Sequence, residues 1–550
     1  MNKSESKIKL VNSWRIDLTA LFYVLTYFVT QFNLLKHGGT TIDERSLDSG
    51  NAITFNKLQT ILNLKIIQDG EINSVLKTVD KMETYGQFVS LQQFIFSRKL
   101  YGSNLLNNYF VENDLFVSFY SKISFLRYIY LNIYICIFLV VFYFIISKYK
   151  DKKFGLIFIV ILSLIPSFNG HGLFNQKDIT FLIHVFLACY LIVQNKFFIN
   201  HKIFVLTTLL SGLAMSLRIS AIAFIGLAVI FSIIYIIKSK SAELNVAFGY
   251  LLKFTALTLF FYYLLSPGSW FAPLDFLTES IKQQVFLDWN GSTLTNGKFI
   301  LSSEMNRFYL LTWFFYKLPI IYVLILSLSF LGIYFKRLHE DIFFVFSIFF
   351  VLIVNIAFLL IKPEVYDGIR QFLFLLPFIA YITTTYLTFF QKKFFLALPI
   401  VVFYLFYTQY SLGPYKYVYL NEFVTEDQIT FECNNVDGCG DWLTDYWGFS
   451  AKNLADNINK NKFEDVYICK PFSIWDPYLD ESLNPIFNDP SKIKKETFLL
   501  ATIYRPRYLN DGCNFYKNNI SYDCELIDKT VIKLRNSYID LNYLKECTLK

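Results

Sequence analysis

The chain has 550 residues, of which 54% are hydrophobic and 17% are charged, and its formal net charge is +8 at pH 7. Soluble proteins carry about 25% charged residues, so this composition excludes an ordinary soluble domain and indicates an integral membrane protein. The basic excess does not predict nucleic-acid binding, because in a membrane chain Lys and Arg mainly report topology.

The apolar segments predict a polytopic α-helical membrane protein. A helix needs about 20 mostly apolar residues to cross the hydrocarbon core of a bilayer, and by this criterion we predict about eleven transmembrane helices. Their intervals are 17–35, 128–147, 153–167, 178–195, 202–217, 219–237, 247–265, 310–335, 341–361, 371–390 and 394–411. The first apolar run is too long and too aromatic for the core of a signal peptide, so we expect the first span to remain uncleaved.

The loops between the spans predict their orientation. With a cytoplasmic N-terminus, the inner loops are KYKDKK, QNKFFINHK, KSKSAELN, KRLHED and QKK, and each contains lysine. This positive-inside pattern places the long first loop, 36–127, and the C-terminal tail on the outer side, where we expect the chemistry. Within the first loop, LQQFIFSRKLYGSNLLNNYF has the apolar spacing of a helix that lies in the membrane interface.

The tail, residues 412–550, is predicted to form a small extracytoplasmic α/β or α+β domain. Strand-like strings such as DVYICK and TFLLATIYR alternate with turns, and one segment, SAKNLADNINKN, is helix-like with Ser450 as its N-cap. An even set of cysteines confined to this segment predicts disulfides in an oxidising compartment, with the connectivity left open. The candidates are Cys433, Cys439, Cys469, Cys513, Cys524 and Cys547.

Several enzyme classes lack their motifs in this chain. There is no HExxH sequence, and the five histidines are scattered, which argues against a zinc hydrolase. No DxD sequence occurs, so the usual metal-binding signature of soluble nucleotide-sugar transferases is missing. The run GSTLTNGK, 291–298, is not a P-loop, since it has one residue too many between its glycines and Phe299 where Ser or Thr is required.

Charged residues lie at the predicted outer ends of the spans. Such residues are expensive at membrane depth and are functional candidates by default, although a lone arginine can instead extend to the surface and paired acids in a polar loop can simply be solvated. The set comprises Asp43 and Glu44 in the first loop, Lys177 and Asp178 before the fourth span, Arg218 in an apolar hairpin, and Asp367 and Arg370 before the tenth span, where the polar Tyr366 precedes them.

Strings spread from residue 40 to about 458 resemble, in family order, the GT-C superfamily of polyprenyl-phosphate-sugar-dependent glycosyltransferases. The resemblance is specifically to bacterial relatives of glycosyltransferase family 39, which includes protein O-mannosyltransferases and the lipid A aminoarabinose transferase. The strings are the acid pair Asp43-Glu44, PSFNGHGLFNQKDITF, SLRISA, YDGIRQFLFLLP, GPYKYVYLNEF and DYWGFSAKNLADNI. Gln176 stands where the family pattern has proline, and the loop before the eighth span is too short for the extra lumenal domain of eukaryotic protein mannosyltransferases.

The resemblance implies a GT-C fold in the bacterial inner (plasma) membrane, with residues 1–411 as the transmembrane glycosyltransferase domain. It implies transfer of a hexosyl or pentosyl group, with inversion, from a polyprenyl-phosphate donor to an acceptor hydroxyl on the extracytoplasmic face. The acceptor is a protein, a lipid or a glycan. No cofactor is certain, and a divalent cation is left open. The alternative is a secondary transporter or a flippase for lipid-linked sugars, which predicts charges at mid-membrane and broken helices in paired halves.

The resemblance also assigns roles to residues. Asp43 is expected to be the general base, with Glu44 beside it as a positioning, metal or acceptor contact. The expected ligands of the donor phosphate are Lys177, Arg218 and Arg370. Asp178 is expected to hold Lys177, with a sugar or metal contact as the alternative. Four further residues are ambiguous contacts of substrate or metal, namely His171, Asn175, Tyr366 and Asp367. The string DYWGFSAKN is expected to support the fold around Trp447 rather than to contact substrate.

Overall fold

The computed structural model describes residues 17–41, 43–62, 86–101, 118–195, 201–239, 244–270, 272–285, 291–332, 336–390, 397–425, 428, 441–442, 444–461, 466–468, 472–480, 483, 485–487, 496–503, 522–534 and 537–549. Within this part of the chain, seven helices are long and apolar enough to cross a membrane. They cover 18–35, 119–149, 176–194, 221–238, 246–264, 342–361 and 370–389. These helices identify the chain as a helical membrane protein.

Each of the predicted span intervals contains helix. In chain order, the α-helices are α1 (Leu18–Leu35), α2 (Glu44–Leu62), α3 (Gln87–Tyr101), α4 (Phe119–Tyr149), α5 (Lys152–Ser163), α6 (Pro166–His171), α7 (Gln176–Gln194), α8 (His201–Leu217), α9 (Ala221–Ser239), α10 (Leu244–Leu264), α11 (Pro273–Val285), α12 (Tyr309–Lys317), α13 (Ile320–Gly332), α14 (Lys336–His339), α15 (Ile342–Ile361), α16 (Leu376–Phe389), α17 (Ala397–Leu412) and α18 (Ala451–Asn461). The interval 310–335 is divided into α12 and α13, because Pro319 favours the extended conformation that Leu318 adopts. Short 3-10 helices, Arg370–Leu375 and Gly413–Val418, precede α16 and follow α17.

Helix α7 lies at the centre of the helical region. Its most apolar window is 94% buried, whereas the corresponding windows of α9 and α10 are 33% and 22% buried. Helices α8 and α9 and the 3-10 helix Arg370–Leu375 pack against α7. The N-terminus of α7 is therefore enclosed by other elements, and any charged group there needs a partner within the protein.

Helix α3 forms the first part of the segment predicted to lie in the membrane interface. It packs between α2 and α4 and buries Val89, Leu91 and Phe94. Its Gln93 donates a hydrogen bond of 2.7 Å to the carbonyl oxygen of Arg127 in α4. Residues 102–110 of the predicted segment lie outside the described residues. The described part is thus held by protein contacts along its buried face.

The tail contains a mixed five-stranded sheet of order β4-β3-β5-β7-β6. Its strands are β3 (Val466–Ile468), β4 (Ile486–Phe487), β5 (Thr497–Ile503), β6 (Tyr522–Leu534) and β7 (Ser537–Leu549), and they follow an earlier hairpin of β1 (Ser292–Thr295) and β2 (Lys298–Leu301). Strand β3 is parallel to β4 and β5, while β7 is antiparallel to β5 and β6. Helix α18 contacts β6 and β7.

One disulfide joins Cys524 to Cys547, which lie opposite each other on β6 and β7. The other candidates, Cys433, Cys439, Cys469 and Cys513, lie outside the described residues. Ser450 precedes α18, but its hydroxyl donates to Asp445 and accepts from Asn542. Its bonding therefore ties the start of the helix to the rest of the tail.

The glycine-containing run 291–298 forms the β1–β2 hairpin. Asn296 and Gly297 occupy its turn with φ angles of 51° and 74°, as a type I′ turn requires. A P-loop instead leads from a strand into a helix, so the hairpin agrees with the rejection of a phosphate-binding loop at this position.

Gly170 in α6 allows a close approach of the 3-10 helix Gly413–Val418. A Cβ atom at this position would lie 2.2 Å from the backbone nitrogen of Tyr417. We therefore expect Gly170→Ala to lower the free energy of unfolding by about 1–3 kcal/mol through overpacking. Gly226→Ala in α9 is the matched control, because a Cβ there meets nothing within 4 Å. Thermal unfolding in detergent tests this, and equal midpoints for the two variants would contradict it.

Candidate functional site

The turn after α15 positions Arg370. Asp367 and Gly368 have φ angles of 59° and 70°, in the left-handed region that glycine adopts readily. The backbone N–H of Gly368 donates a hydrogen bond of 2.9 Å to the hydroxyl of Tyr309. Arg370 then begins the 3-10 helix that packs on α7. The turn thus delivers the guanidinium group to the N-terminus of α7.

The Arg370 guanidinium contacts three carboxylates and an aromatic ring. Its Nη2 lies 2.7 Å from Oδ2 of Asp43, and its Nε lies 3.2 Å from Oδ2 of Asp178. Its Nη1 lies 3.6 Å from Oδ2 of Asp367. The ring of Trp447 lies 3.9 Å from the guanidinium carbon, a cation–π contact. Segments far apart in the sequence therefore meet at this one side chain.

Asp178 joins Arg370 to a second arginine. It lies in the first turn of α7, where Asn175 caps the helix and donates a hydrogen bond of 2.8 Å to Asp178 Oδ2. Nη2 of Arg218, in the connection between α8 and α9, pairs with Asp178 Oδ1. The expectation that Asp178 pairs with Lys177 was wrong. Among the described residues, the carboxylate of Asp178 pairs with Arg218 and Arg370. A buried carboxylate here is neutralised by the two arginines instead.

The other predicted residues lie around this centre. Lys177 is partly exposed. Its side chain lies next to Gly86, the residue before α3, because a Cβ atom added to Gly86 would lie 3.8 Å from Lys177 Cγ. The ring of Tyr366 lies 5.8 Å from the Arg370 guanidinium carbon. Arg218, Arg370 and Asp43 thus approach the site from three different segments.

His171 links the site to the tail. Its Nδ1 accepts a hydrogen bond of 3.1 Å from the amide of Asn175, and its Nε2 lies 3.1 Å from the hydroxyl of Tyr446. Burial lowers the pKa of His171 to about 3, so the ring is neutral at physiological pH. Both nitrogens are already engaged, which argues against a metal-binding role. Among the described residues no group of three or more His, Cys, Asp or Glu side chains could hold a metal ion.

The tail segment 444–450 closes over the site. Asp445 is fully buried and accepts hydrogen bonds from the hydroxyl of Tyr417 and from the backbone and hydroxyl of Ser450. This anchoring carries Tyr446 to His171 and Trp447 to Arg370. Trp447 is therefore buried within the fold and packs on a residue of the site. The sequence analysis missed this contact.

Glu44 belongs to a different, buried network. Its Oε2 lies 3.0 Å from Nη1 of Arg127, which also lies 3.8 Å from Asp48 Oδ1. Asp48 Oδ2 lies 2.5 Å from Nη2 of Arg98 in α3. The four side chains are at most 5% exposed, whereas that of Asp43 is 39% exposed. Glu44 thus anchors the start of α2, and Asp43 remains the accessible acid of the pair.

The sequence analysis missed Asp48, Arg98 and Arg127. The usable signal was the four-residue spacing of Glu44 and Asp48, which places both acids on one face of a helix. Two buried acids on one face require cations in the packed elements, and α3 and α4 supply them.

The protonation of Glu44 should make stability depend on pH. Burial raises its pKa to about 7 from 4.5, against the opposing charge of Arg127. The folded state therefore binds this proton more tightly than the unfolded state, so the contribution is full below pH 4.5 and is lost as the pH rises through about 7. At about 1.4 kcal/mol per pKa unit, the change is at most about 3 kcal/mol.

Denaturant unfolding of wild type and Glu44→Gln across this pH range measures the effect. We expect the stability difference between the two proteins to change between pH 4.5 and 7, and the exposed Glu525→Gln control to show no such change. A wild-type-minus-variant difference that is constant with pH would remove Glu44 from this role.

The site therefore combines a partly exposed carboxylate with two arginines at the ends of apolar helices. Such a set can accept a proton at Asp43 and bind an anion at Arg218 and Arg370. No protein-family model matches the chain, and no curated protein matches it either.

Proposed function

We propose that the protein is a membrane glycosyltransferase that moves a sugar from a polyprenyl phosphate to an acceptor hydroxyl on the extracytoplasmic face. The observation that carries the proposal is the direct contact of Arg370 with Asp43 and Asp178 beside Arg218. A lipid-linked donor keeps its tail in the bilayer, so its phosphate must meet cations at the ends of membrane helices. We further propose that the chain crosses a bacterial inner membrane about eleven times, with its tail outside.

The proposed reaction needs a base and an anion site. Asp43 takes the proton of the acceptor hydroxyl while the acceptor oxygen attacks the anomeric carbon with inversion. The bond from that carbon to the phosphate oxygen breaks, and the phosphate leaves with the electron pair. Arg218 and Arg370 stabilise the negative charge that develops on it. The acceptor is a protein, a lipid or a glycan.

The distribution of charge favours this function over transport. A transporter predicts charges at mid-membrane between broken helices in paired halves. Here Asp178 lies in the first turn of α7, and Arg370 begins the segment that leads into α16. These groups lie at helix ends, where the head group of a lipid substrate would reach them.

The first test is Asp43→Asn. Because the amide cannot accept the acceptor's proton, we expect turnover of a polyprenyl-phosphate sugar to fall by about 10²–10⁴-fold. Donor-lipid binding should survive. Asp523→Asn, an equal charge change on the exposed edge strand β6, is the control and should leave turnover unchanged. Near-normal turnover of Asp43→Asn would exclude Asp43 as the base.

The second test asks which cation binds the phosphate. Charge-assisted hydrogen bonds contribute about 1.5–3 kcal/mol, so we expect Arg218→Ala to weaken binding of a polyprenyl phosphate by roughly 10–100-fold. Lys177→Ala, measured in parallel, should also weaken binding, because we propose Lys177 as a further ligand of the donor phosphate. Unchanged lipid binding in both variants, with folding verified by thermal unfolding, would contradict the placement of the phosphate.

A further inference from the structure

We propose that the donor phosphate displaces Asp43 from Arg370, so that the base is released only when the donor is bound. This inference rests on the proposed function and concerns the order of events at the same site. It follows from which groups occupy the guanidinium and from how deeply each of them is buried.

Each nitrogen of the Arg370 guanidinium has a carboxylate beside it in this structure, and the side chain is only 12% exposed. Asp43, Asp178 and Asp367 each lie against a different nitrogen, and Trp447 covers one face. A phosphate recognises arginine through the same planar pairs of N–H groups that bind a carboxylate. A phosphate that pairs with Arg370 through two of these nitrogens therefore competes with at least one of the three acids.

Burial decides which acid leaves. The side chains of Asp178 and Asp367 are 3% and 6% exposed, whereas that of Asp43 is 39% exposed. Asp178 is also held by Arg218 and by the amide of Asn175. Moving Asp178 or Asp367 away from Arg370 would leave a buried carboxylate without this cation. Asp43 can instead turn toward water at a low free-energy cost. Asp43 is thus the carboxylate that the phosphate replaces.

The charge balance points the same way. The three carboxylates around Arg370 outnumber Arg218 and Arg370 by one. A phosphate that entered while Asp43 stayed in place would add a like charge to a site that is already acidic. Exchange of one anion for another on the same guanidinium avoids this cost.

The exchange has a chemical consequence. In this structure Asp43 Oδ2 accepts a hydrogen bond from Arg370 and so faces the guanidinium rather than an acceptor hydroxyl. Once the phosphate holds Arg370, Asp43 loses this partner and its carboxylate can turn to accept the hydrogen bond and then the proton of the acceptor hydroxyl. The donor therefore binds first and prepares the base, and after transfer the lipid phosphate leaves, Asp43 gives its proton to water and the pair reforms.

If the Asp43 carboxylate helped to hold the donor, removing its charge would weaken donor binding. The exchange predicts the opposite result. Asp43→Asn removes the competing charge, so it should bind a polyprenyl phosphate without a sugar about two- to fivefold more tightly than wild type, the range expected for a partly exposed ion pair. Asp523→Asn should bind it as wild type does. Binding is measured by titration of the lipid phosphate into the purified full-length protein in detergent.

The outcomes separate this inference from the proposed function. Tighter binding by an inactive Asp43→Asn supports the exchange. Equal or weaker binding by an inactive Asp43→Asn overturns the exchange and leaves the transferase proposal standing. An active Asp43→Asn excludes Asp43 as the base and overturns the exchange, whereas a wild type that binds no lipid phosphate and transfers no sugar overturns the proposed function itself. Thermal unfolding midpoints of the variants verify that each comparison is made between folded proteins.

Discussion

The site depends on the confinement of one guanidinium, that of Arg370, among carboxylates from three segments. A buried arginine is stable only where acids neutralise it, and a buried Asp178 is stable only where arginines do the same. Each charge therefore requires the others, and the fold must bring them together. This mutual requirement connects α2, α7, the hairpin after α8 and the turn after α15 into one unit.

The tail belongs to this unit as well. Segment 444–450 is fixed by Asp445 and carries Trp447 onto Arg370 and Tyr446 onto His171. The hydrogen bonds from Tyr446 through His171 and Asn175 to Asp178 connect the tail to the first turn of α7. If these contacts served only to attach the tail to α7, apolar packing would attach it at a lower free-energy cost than a buried polar network. The presence of charged and polar groups here agrees with a functional site.

The sequence predicted the features that follow from local chemistry. Runs of apolar residues predicted the helical intervals, and the cost of charge at membrane depth selected Asp178, Arg218 and Arg370. Asp43 was selected as one of an acid pair in the first loop. It could not assign partners, because pairing depends on which helix ends meet. For this reason Asp178 was matched to its neighbour Lys177 rather than to Arg218 and Arg370. Glu44 was likewise grouped with Asp43, although Asp43 precedes α2, Glu44 is its first residue, and the two side chains have different partners.

The two acids that the sequence places side by side therefore have separate surroundings. Glu44 faces the buried Arg127 network, while Asp43 faces Arg370 and is partly open. This separation suits a division in which one acid fixes the start of α2 and the other is available for chemistry. It follows from the positions of the two residues, Asp43 before α2 and Glu44 at its start, and it places the accessible carboxylate at the edge of the arginine site.

The most direct measurement of the central claim is an experimental structure of the protein with a bound polyprenyl phosphate. The account predicts phosphate density within hydrogen-bond distance of Arg218 and Arg370, with the Asp43 carboxylate turned away from the guanidinium. A lipid phosphate bound elsewhere, with the contact of Arg370 and Asp43 intact, would contradict it.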